Sequence, residues 1–415
     1  MDNIVSVDLR ERYYRRNYIA MLFEGFFFSF AISIFSYTTV LPVYVSNLSS
    51  NKFWISLLIV SFFGLSNASS ILSSVIGVNA RSAKWASVII CSFQRLGQFL
   101  IYISTFAVTK NNNIALLLFF SSYSLYAVTA GMSSPVFSNM ISNIIHRNVS
   151  SFYGSYSLVG AVSGVLGSQL VRVLIVKYSF PVNYQYLFLS GLIMAVIATF
   201  VVIFGVKEVR SEKRVKLKFG DLPGIVKDIF KNNHKFRNII IVRTFIAAAE
   251  MTVPFYIIKV SGLEGISIGF VGIMSTVLLL SNLFWSKTLG QIGDRKGPFF
   301  LMEISCIAGL LASLIAIFIN SPIVAYPLFI LVSLTTLSAQ LSNSVSVIVY
   351  STHGLVPVFA AMSGLIIAPF YAFSSFGGGL LAEKSGYNIL FIISAVIYSL
   401  GFIFLRRYYK GDVEI

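Results

Sequence analysis

The chain has 415 residues, of which 56% are hydrophobic and only 11% charged, and its mean hydropathy is +0.83. That composition excludes a soluble domain built on one core and excludes a disordered chain, leaving a polytopic membrane protein. The formal charge of +16 and pI near 9.7 would fit a nucleic-acid binder only if the basic residues formed a water-facing patch, and their placement has another cause.

A membrane helix takes about 20 apolar residues. The first 18 residues are polar, and the apolar run at 19–45 is too long for the core of a cleaved signal, so it reads as the first span. Spans at 54–76, 86–107, 114–142, 155–177 and 186–206 follow, then six more at 239–260, 266–286, 299–319, 322–347, 355–380 and 387–405. All are expected to be helices, because lipid offers backbone groups no partner. The expected fold class is an all-α polytopic membrane protein: a six-helix bundle at 1–206, a linker at 207–238 and a second six-helix bundle at 239–415.

With the N-terminus inside, the cytoplasmic segments hold 23 of the 31 Lys and Arg, against Lys52, Lys110 and Lys384 in outer loops. Those inner segments carry 10 Asp and Glu, so they supply +13 of the net +16. The basic pI follows from topology, with both termini cytoplasmic in a plasma-membrane protein, and no nucleic acid is needed to explain it. In the linker, Asp221-Leu-Pro223 marks a helix start, and Ile225, Val226, Ile229 and Phe230 form an apolar stripe beside Lys227 and Lys231. A short amphipathic helix on the inner leaflet is expected.

Cys91 and Cys306 lie in apolar runs and read as free thiols. His146, His234 and His353 have no Cys or acid at metal-ligand spacing, and no phosphate-binding glycine loop with its Lys-Ser/Thr is present. No metal, cofactor or enzymatic activity is expected.

The halves echo each other. Leu41-Pro-Val-Tyr44 ends span one and Val253-Pro-Phe-Tyr256 ends span seven; Ser66-Asn67 and Ser281-Asn282 recur late in spans two and eight. Gly77 and Gly290 open the following loops, and Tyr184-Gln-Tyr-Leu-Phe188 precedes span six as Tyr387-Asn-Ile-Leu-Phe391 precedes span twelve.

On these residues the chain resembles the major facilitator superfamily. Gly290-Gln-Ile-Gly-Asp294-Arg295-Lys-Gly297, between spans eight and nine, is similar to that family's G-x-x-x-D-R-x-G loop. The resemblance implies two six-helix bundles related by a pseudo-two-fold axis, rocking about a central cavity, with Asp294 facing the start of span five around residues 153–157. The first-half loop, Gly77-Val-Asn-Ala-Arg81-Ser-Ala-Lys84, departs from the pattern because Arg81 stands where the acid belongs. Gly160, Gly164 and Gly167 in span five resemble the exporters' glycine motif loosely, with Val165 in place of its proline.

Span ten carries Ser333, Thr336, Gln340 and Asn343 on one face, and span four carries Tyr126, Thr129 and Ser133. Either stripe lines a cavity or ties helices together. Charges inside spans are few, and each costs on the order of 3 kcal/mol at a helix centre. Glu250 in span seven is either a proton-binding carboxylate or one half of a structural pair with Arg243; Glu24 and Arg95 read first as a charge pair holding spans one and three together, with coupling as the alternative. Glu303 and Arg243 lie near the inner ends of their spans, where snorkelling to the headgroups is expected, of Glu303 above all. Arg172 is placed likewise on the outer side.

These features imply a monomeric secondary transporter whose partners are membrane lipids, a small-molecule substrate and protons. The first reading is proton-coupled export of hydrophobic or amphipathic compounds. The second is an importer or facilitator of a polar solute, and a third, from another class, is a receptor or lipid scramblase on the same scaffold.

Overall fold

The structure, a computed structural model, describes residues 2–37, 39–49, 51–209, 216–261, 269–352 and 354–409. Its helices in chain order are α1 (Asp2–Ile34), α2 (Val40–Leu48), α3 (Lys52–Asn79), α4 (Ala83–Ala107), α5 (Asn112–Ile144), α6 (Val149–Lys177) and α7 (Val182–Gly205). After the linker come α8 (Leu222–Asn232), α9 (His234–Ala249), α10 (Val253–Ser261), α11 (Gly269–Ile317), α12 (Pro322–Val349) and α13 (Val356–Tyr409). Most of the expected spans match these helices to within a few residues, but α1 begins at Asp2, so the polar stretch before 19 is helical too, and 266–268 lie outside the described residues. Arg210, Lys213 and Arg214 of the linker, and His353, also lie outside them.

Two spans are not continuous as expected. Span one breaks between α1 and α2, and span seven breaks at a 3-10 turn, Glu250–Thr252, between α9 and α10. The physical reason is the shared proline. Pro42 and Pro254 lack the N–H that a through-going helix would donate one turn back, and their rings clash with the carbonyl there. The repeated Pro-x-Tyr lies in a short separate helix that ends each span, and both tyrosines, Tyr44 and Tyr256, are buried. Elsewhere a glycine with non-helical backbone ends one helix and the next begins at once. Gly297 in α11 (φ 80°) and Gly386 in α13 (φ 79°) adopt positive φ, so each long helix is two spans joined by a hinge. The apolar stretch Thr276–Ile317 of α11 has 42 residues. Gly297 divides it into 276–296 and 298–317, each about 30 Å long and enough for one crossing.

The chain forms two compact units. One comprises Met1–Arg147, Val159–Asp221 and Thr352–Ala361; the other comprises Asn148–Leu158, Leu222–Ser351 and Met362–Ile415. The opening turns of α6 and α13 thus belong to a different unit from the rest of each helix. In the first unit α1 packs along α7, α7 along α4, α4 along α5 and α5 along α3. Its core is aromatic: Phe35 stacks on Phe188 at 5.4 Å, and Tyr44 packs against Phe119, Tyr184 and Phe188. In the second unit α11 packs along α12 and α9 against both.

Polarity is inverted relative to a soluble protein. Phe318 is 76% and Phe373 78% exposed, while serines fill the interior: Ser73, Ser333, Ser338, Ser342 and Ser346 are all buried. Exposed apolar rings and buried hydroxyls are what a lipid solvent selects, because helix association there relies on packing and small polar side chains. The hydroxyls bridge helices: Ser342 Oγ donates to Pro298 O at 2.6 Å and Ser305 Oγ to Thr335 O at 2.8 Å. The linker helix α8 is amphipathic as expected, but Ile229 on its apolar face is buried within the protein.

Candidate functional site

The loop after Gly290 has a defined job. Asp294 Oδ1 accepts from Ser150 N at 2.8 Å and Oδ2 from Ser151 N at 3.0 Å, so its carboxylate caps the first turn of α6. Those amides have no intrahelical acceptor, and the helix's positive end favours the charge. The glycines permit the approach: a Cβ on Gly290 would lie 2.9 Å from Ser151 Cα, and one on Gly154 would strike Ser286 O. Arg295 is exposed, and Lys296 Nζ lies 4.1 Å from the Phe300 ring centroid.

The corresponding first-half loop is held by the linker instead. Glu208 accepts from Ser82 Oγ at 2.5 Å, from Ala83 N and Lys84 N at 3.0 Å each, and from Asn143 Nδ2 at 2.9 Å, capping α4. Lys84 Nζ donates to Ile203 O and Val206 O at the end of α7, and Asn79 pairs with the backbone of Leu217 through both its amide atoms. Sequence reading missed Glu208, whose only signal was an acid at the linker's start.

The span-ten stripe is divided. Ser333 Oγ donates to Asn282 Oδ1 at 2.8 Å, and Asn343 Oδ1 accepts from Ser363 Oγ at 2.7 Å, so these two tie α12 to α11 and α13. Thr336 Oγ1 bonds its own helix at Val332 O and Ser333 O, while Gln340 is exposed. In span four, Thr129 and Ser133 also bond their own helix, through Leu125 O, Tyr126 O and Ala130 O. Tyr126 belongs to an aromatic cluster with Phe35, Phe62 and Tyr123, at centroid distances of 6.0 to 6.2 Å, and Tyr37 stacks on Phe62 at 4.4 Å.

Several charged residues lie within the spans. Arg95, buried on α4, donates from Nε to Ala195 O (3.0 Å) and Thr199 Oγ1 (3.1 Å) and from Nη1 to Gln94 Oε1 (2.5 Å). Glu24 is buried on α1, and it and Arg95 both act electrostatically on the Cys91 thiol, so the two share one neighbourhood.

Glu303 corrects its expectation. It does not snorkel: it is buried, and Arg406 Nε meets its Oε1 at 2.5 Å from an exposed side chain. The long cation reaches in because its stem is apolar and its head stays wet, whereas a carboxylate two carbons from the backbone cannot reach out. Arg172 is exposed on α6.

Arg243 does not snorkel either. It is 7% exposed, its Nη1 lies 3.4 Å from Glu250 Oε2, and its Nη2 donates to Tyr371 Oη. The guanidinium carbon also lies 5.2 Å from the Tyr371 ring centroid. Glu250 occupies the 3-10 turn that Pro254 forces, where the C-terminal end of α9 meets the start of α10. The break thus places a buried ion pair beside irregular backbone. Tyr371, 128 positions from Arg243, gave no sequence signal.

Spans broken by proline, a helix start capped by a loop carboxylate and a buried ion pair at a break belong to an all-helical polytopic membrane protein. Residues 22–366 match the family described as Major Facilitator Superfamily, and the chain belongs to that family: it is a secondary transporter of small molecules. Its fold is similar to the E.coli fucose:proton symporter FucP (TM-score 0.76, 12% identity, 97% of this chain and 100% of that one). It is also similar to the human organic anion transporter MFSD10 (TM-score 0.71, 12% identity, 94% and 99%) and to the proton:xylose symporter XylE (TM-score 0.65, 13% identity, 96% and 96%). At these identities the likeness is one of fold. No curated relative matches the sequence significantly.

Proposed function

We propose that the protein moves an amphipathic small molecule in a proton-coupled cycle in which Glu250 carries the proton and Arg243 is its fixed counter-charge. The observation that carries this reading is the buried Arg243–Glu250 pair at the break in span seven. A carboxylate with one long contact to a cation, beside backbone that is not regular helix, is placed to gain and lose a proton as the turn rearranges. The aromatic cluster around Tyr37, Phe62 and Tyr126 supports an amphipathic rather than a purely polar solute. The polar-solute reading weakens because Ser333 and Asn343 spend their hydrogen bonds on neighbouring helices. The span-five glycines, only loosely similar to the exporters' motif, serve packing at two positions: Gly160 faces Ser29 and Gly167 faces Ser33.

In the same reading Asp294 is a latch on the cytoplasmic side, releasing the start of α6 during the cycle, and both termini lie in the cytoplasm. The bundles are taken as 1–206 and 239–415 joined by the 207–238 linker, working as a monomer in the plasma membrane.

A thermal-shift screen against amino acids, sugars, organic acids and lipophilic cations identifies the solute, because binding to the native state raises apparent stability. Proteoliposomes loaded with a pH-sensitive dye then report whether that solute moves protons. Glu250→Gln should abolish solute-driven proton flux while leaving binding and exchange; Glu24→Gln, tested beside it, should not. Proton flux that survives Glu250→Gln, or none in the unmodified protein, refutes the assignment.

A further inference from the structure

Resting on the proton-site reading of Glu250, the charges of the same site name the substrate class: we infer that Arg243 receives the carboxylate of a small organic acid, which travels together with the proton on Glu250. A guanidinium has five N–H donors in a fork that matches a carboxylate. Arg95 in the first unit donates to Ala195 O, Thr199 Oγ1 and Gln94 Oε1, all neutral acceptors. Arg243 is otherwise placed. Its bonds are one to Glu250, at 3.4 Å, and one to Tyr371 Oη. Charge-assisted contacts of good geometry run at about 2.7–2.9 Å, so Glu250 engages this cation from one oxygen and at long range. Among the described residues these two bonds leave the other N–H groups of the fork for a two-oxygen acceptor.

Electroneutrality then selects the solute. With Glu250 ionised the pair is neutral. Protonating Glu250 leaves Arg243 as a buried unpaired charge, the costly arrangement in a low dielectric. Only an anion restores neutrality; a neutral solute leaves the excess charge, and a cationic one doubles it. The empty deprotonated site and the site holding proton plus anion are therefore the two uncharged forms, which makes proton and anion cross together rather than in exchange. Among the described residues the other ionisable groups near the pair are Tyr371, and Tyr398 with Tyr256 and Cys306 beyond it, none of which supplies a second cation. Lys259, on the far side of the break, donates to Ala316 O, Ile317 O and Asn388 Oδ1 and is occupied there.

The test uses the purified full-length protein and three acids paired with their neutral amides: acetate with acetamide, benzoate with benzamide, octanoate with octanamide. Thermal shifts at pH 5.5 and 7.5 read binding. In the unmodified protein at least one acid should bind tenfold or more tightly at pH 5.5, with its amide inactive. In Glu250→Gln, where Arg243 has lost its internal partner, that acid should bind tightly and equally at both pH values; in Arg243→Gln it should not bind at either. Acid binding that depends on Arg243 but not on pH keeps the anion site and removes Glu250 as the proton carrier. Solute-driven proton flux with neutral or cationic compounds, and no acid-over-amide preference in any protein, keeps coupling and overturns the anion assignment. Should Glu250→Gln not fold, the pH dependence of the unmodified protein and its loss in Arg243→Gln decide the matter alone.

Discussion

Asp294→Asn is the perturbation whose consequence can be worked out most directly. The carboxylate takes two amides, Ser150 N at 2.8 Å and Ser151 N at 3.0 Å, at the first turn of α6. Asparagine keeps one acceptor and turns an NH2 group toward the second amide, so one charge-assisted bond is lost, worth about 1.5–3 kcal/mol. The charge–dipole term of about 0.3–1 kcal/mol goes with it. Asp294 is only half-buried, so solvent offsets part of the loss, and a net cost of about 2 kcal/mol is the working figure. That lowers the ratio of docked to undocked α6 start roughly 30-fold.

Amide exchange read by mass spectrometry over residues 148–158 measures this ratio, because Ser150 and Ser151 have no acceptor within their own helix. Exchange there should accelerate by that order in the variant, while peptides covering Ala83 and Lys84, held by Glu208, keep their rates. Equal exchange in both proteins would refute the latch and leave Asp294 as a solvated turn residue.

Three further outcomes are expected. Ser342→Ala removes the hydroxyl that reaches Pro298 O and leaves that carbonyl buried without its partner, so stability should fall by about 1–3 kcal/mol in thermal unfolding. Gly297→Ala places a Cβ on a residue at φ 80°, costing on the order of 1–3 kcal/mol, and should lower expression or thermal stability while Gly164→Ala, with open space around it, does not. Single cysteines at residues in 216–238 should react with impermeant thiol reagents only from the cytoplasm and one at Lys110 only from outside; the reverse pattern would overturn the orientation.

Much of the fold was legible because its rules are coarse. Apolar run length gives the spans, and the repeated Pro-x-Tyr and Ser-Asn pairs give the two-fold repeat. The breaks were written in Pro42 and Pro254, yet an apolar run conceals a break when hydropathy alone is read. The Asp294 cap was legible because the family resemblance implied that this residue faces the start of span five, where helix-end chemistry favours a carboxylate. Tyr371 and Arg406 were not, since which residue meets Arg243 or Glu303 depends on helix rotation, and a tyrosine or a terminal arginine carries no sequence mark of its partner. The span-ten stripe was legible as polar but not as to use: only the packing separates Ser333 and Asn343, which bond across helices, from exposed Gln340.

The departure at Arg81 has a structural counterpart that makes it coherent. Asn148 (φ 49°) and Gly354 (φ 81°) occupy like places before α6 and α13, and the same offset pairs Ser151 with Pro357. Ser151 offers an N–H and meets an acid; Pro357 offers none, and the loop facing it has no acid. A Cβ on Gly77 would lie 2.9 Å from Pro357 Cγ, so that contact is apolar. Arg81 itself is exposed, and the charge that would have capped a helix comes from Glu208, which caps α4 from the linker. One loop therefore grips a helix start through a charge, which protons and salt can weaken, and the other through a proline ring, which they cannot. Two loops that began as repeats have become unequal, and the unequal one ties its helix ends to the linker that joins the two halves of the chain.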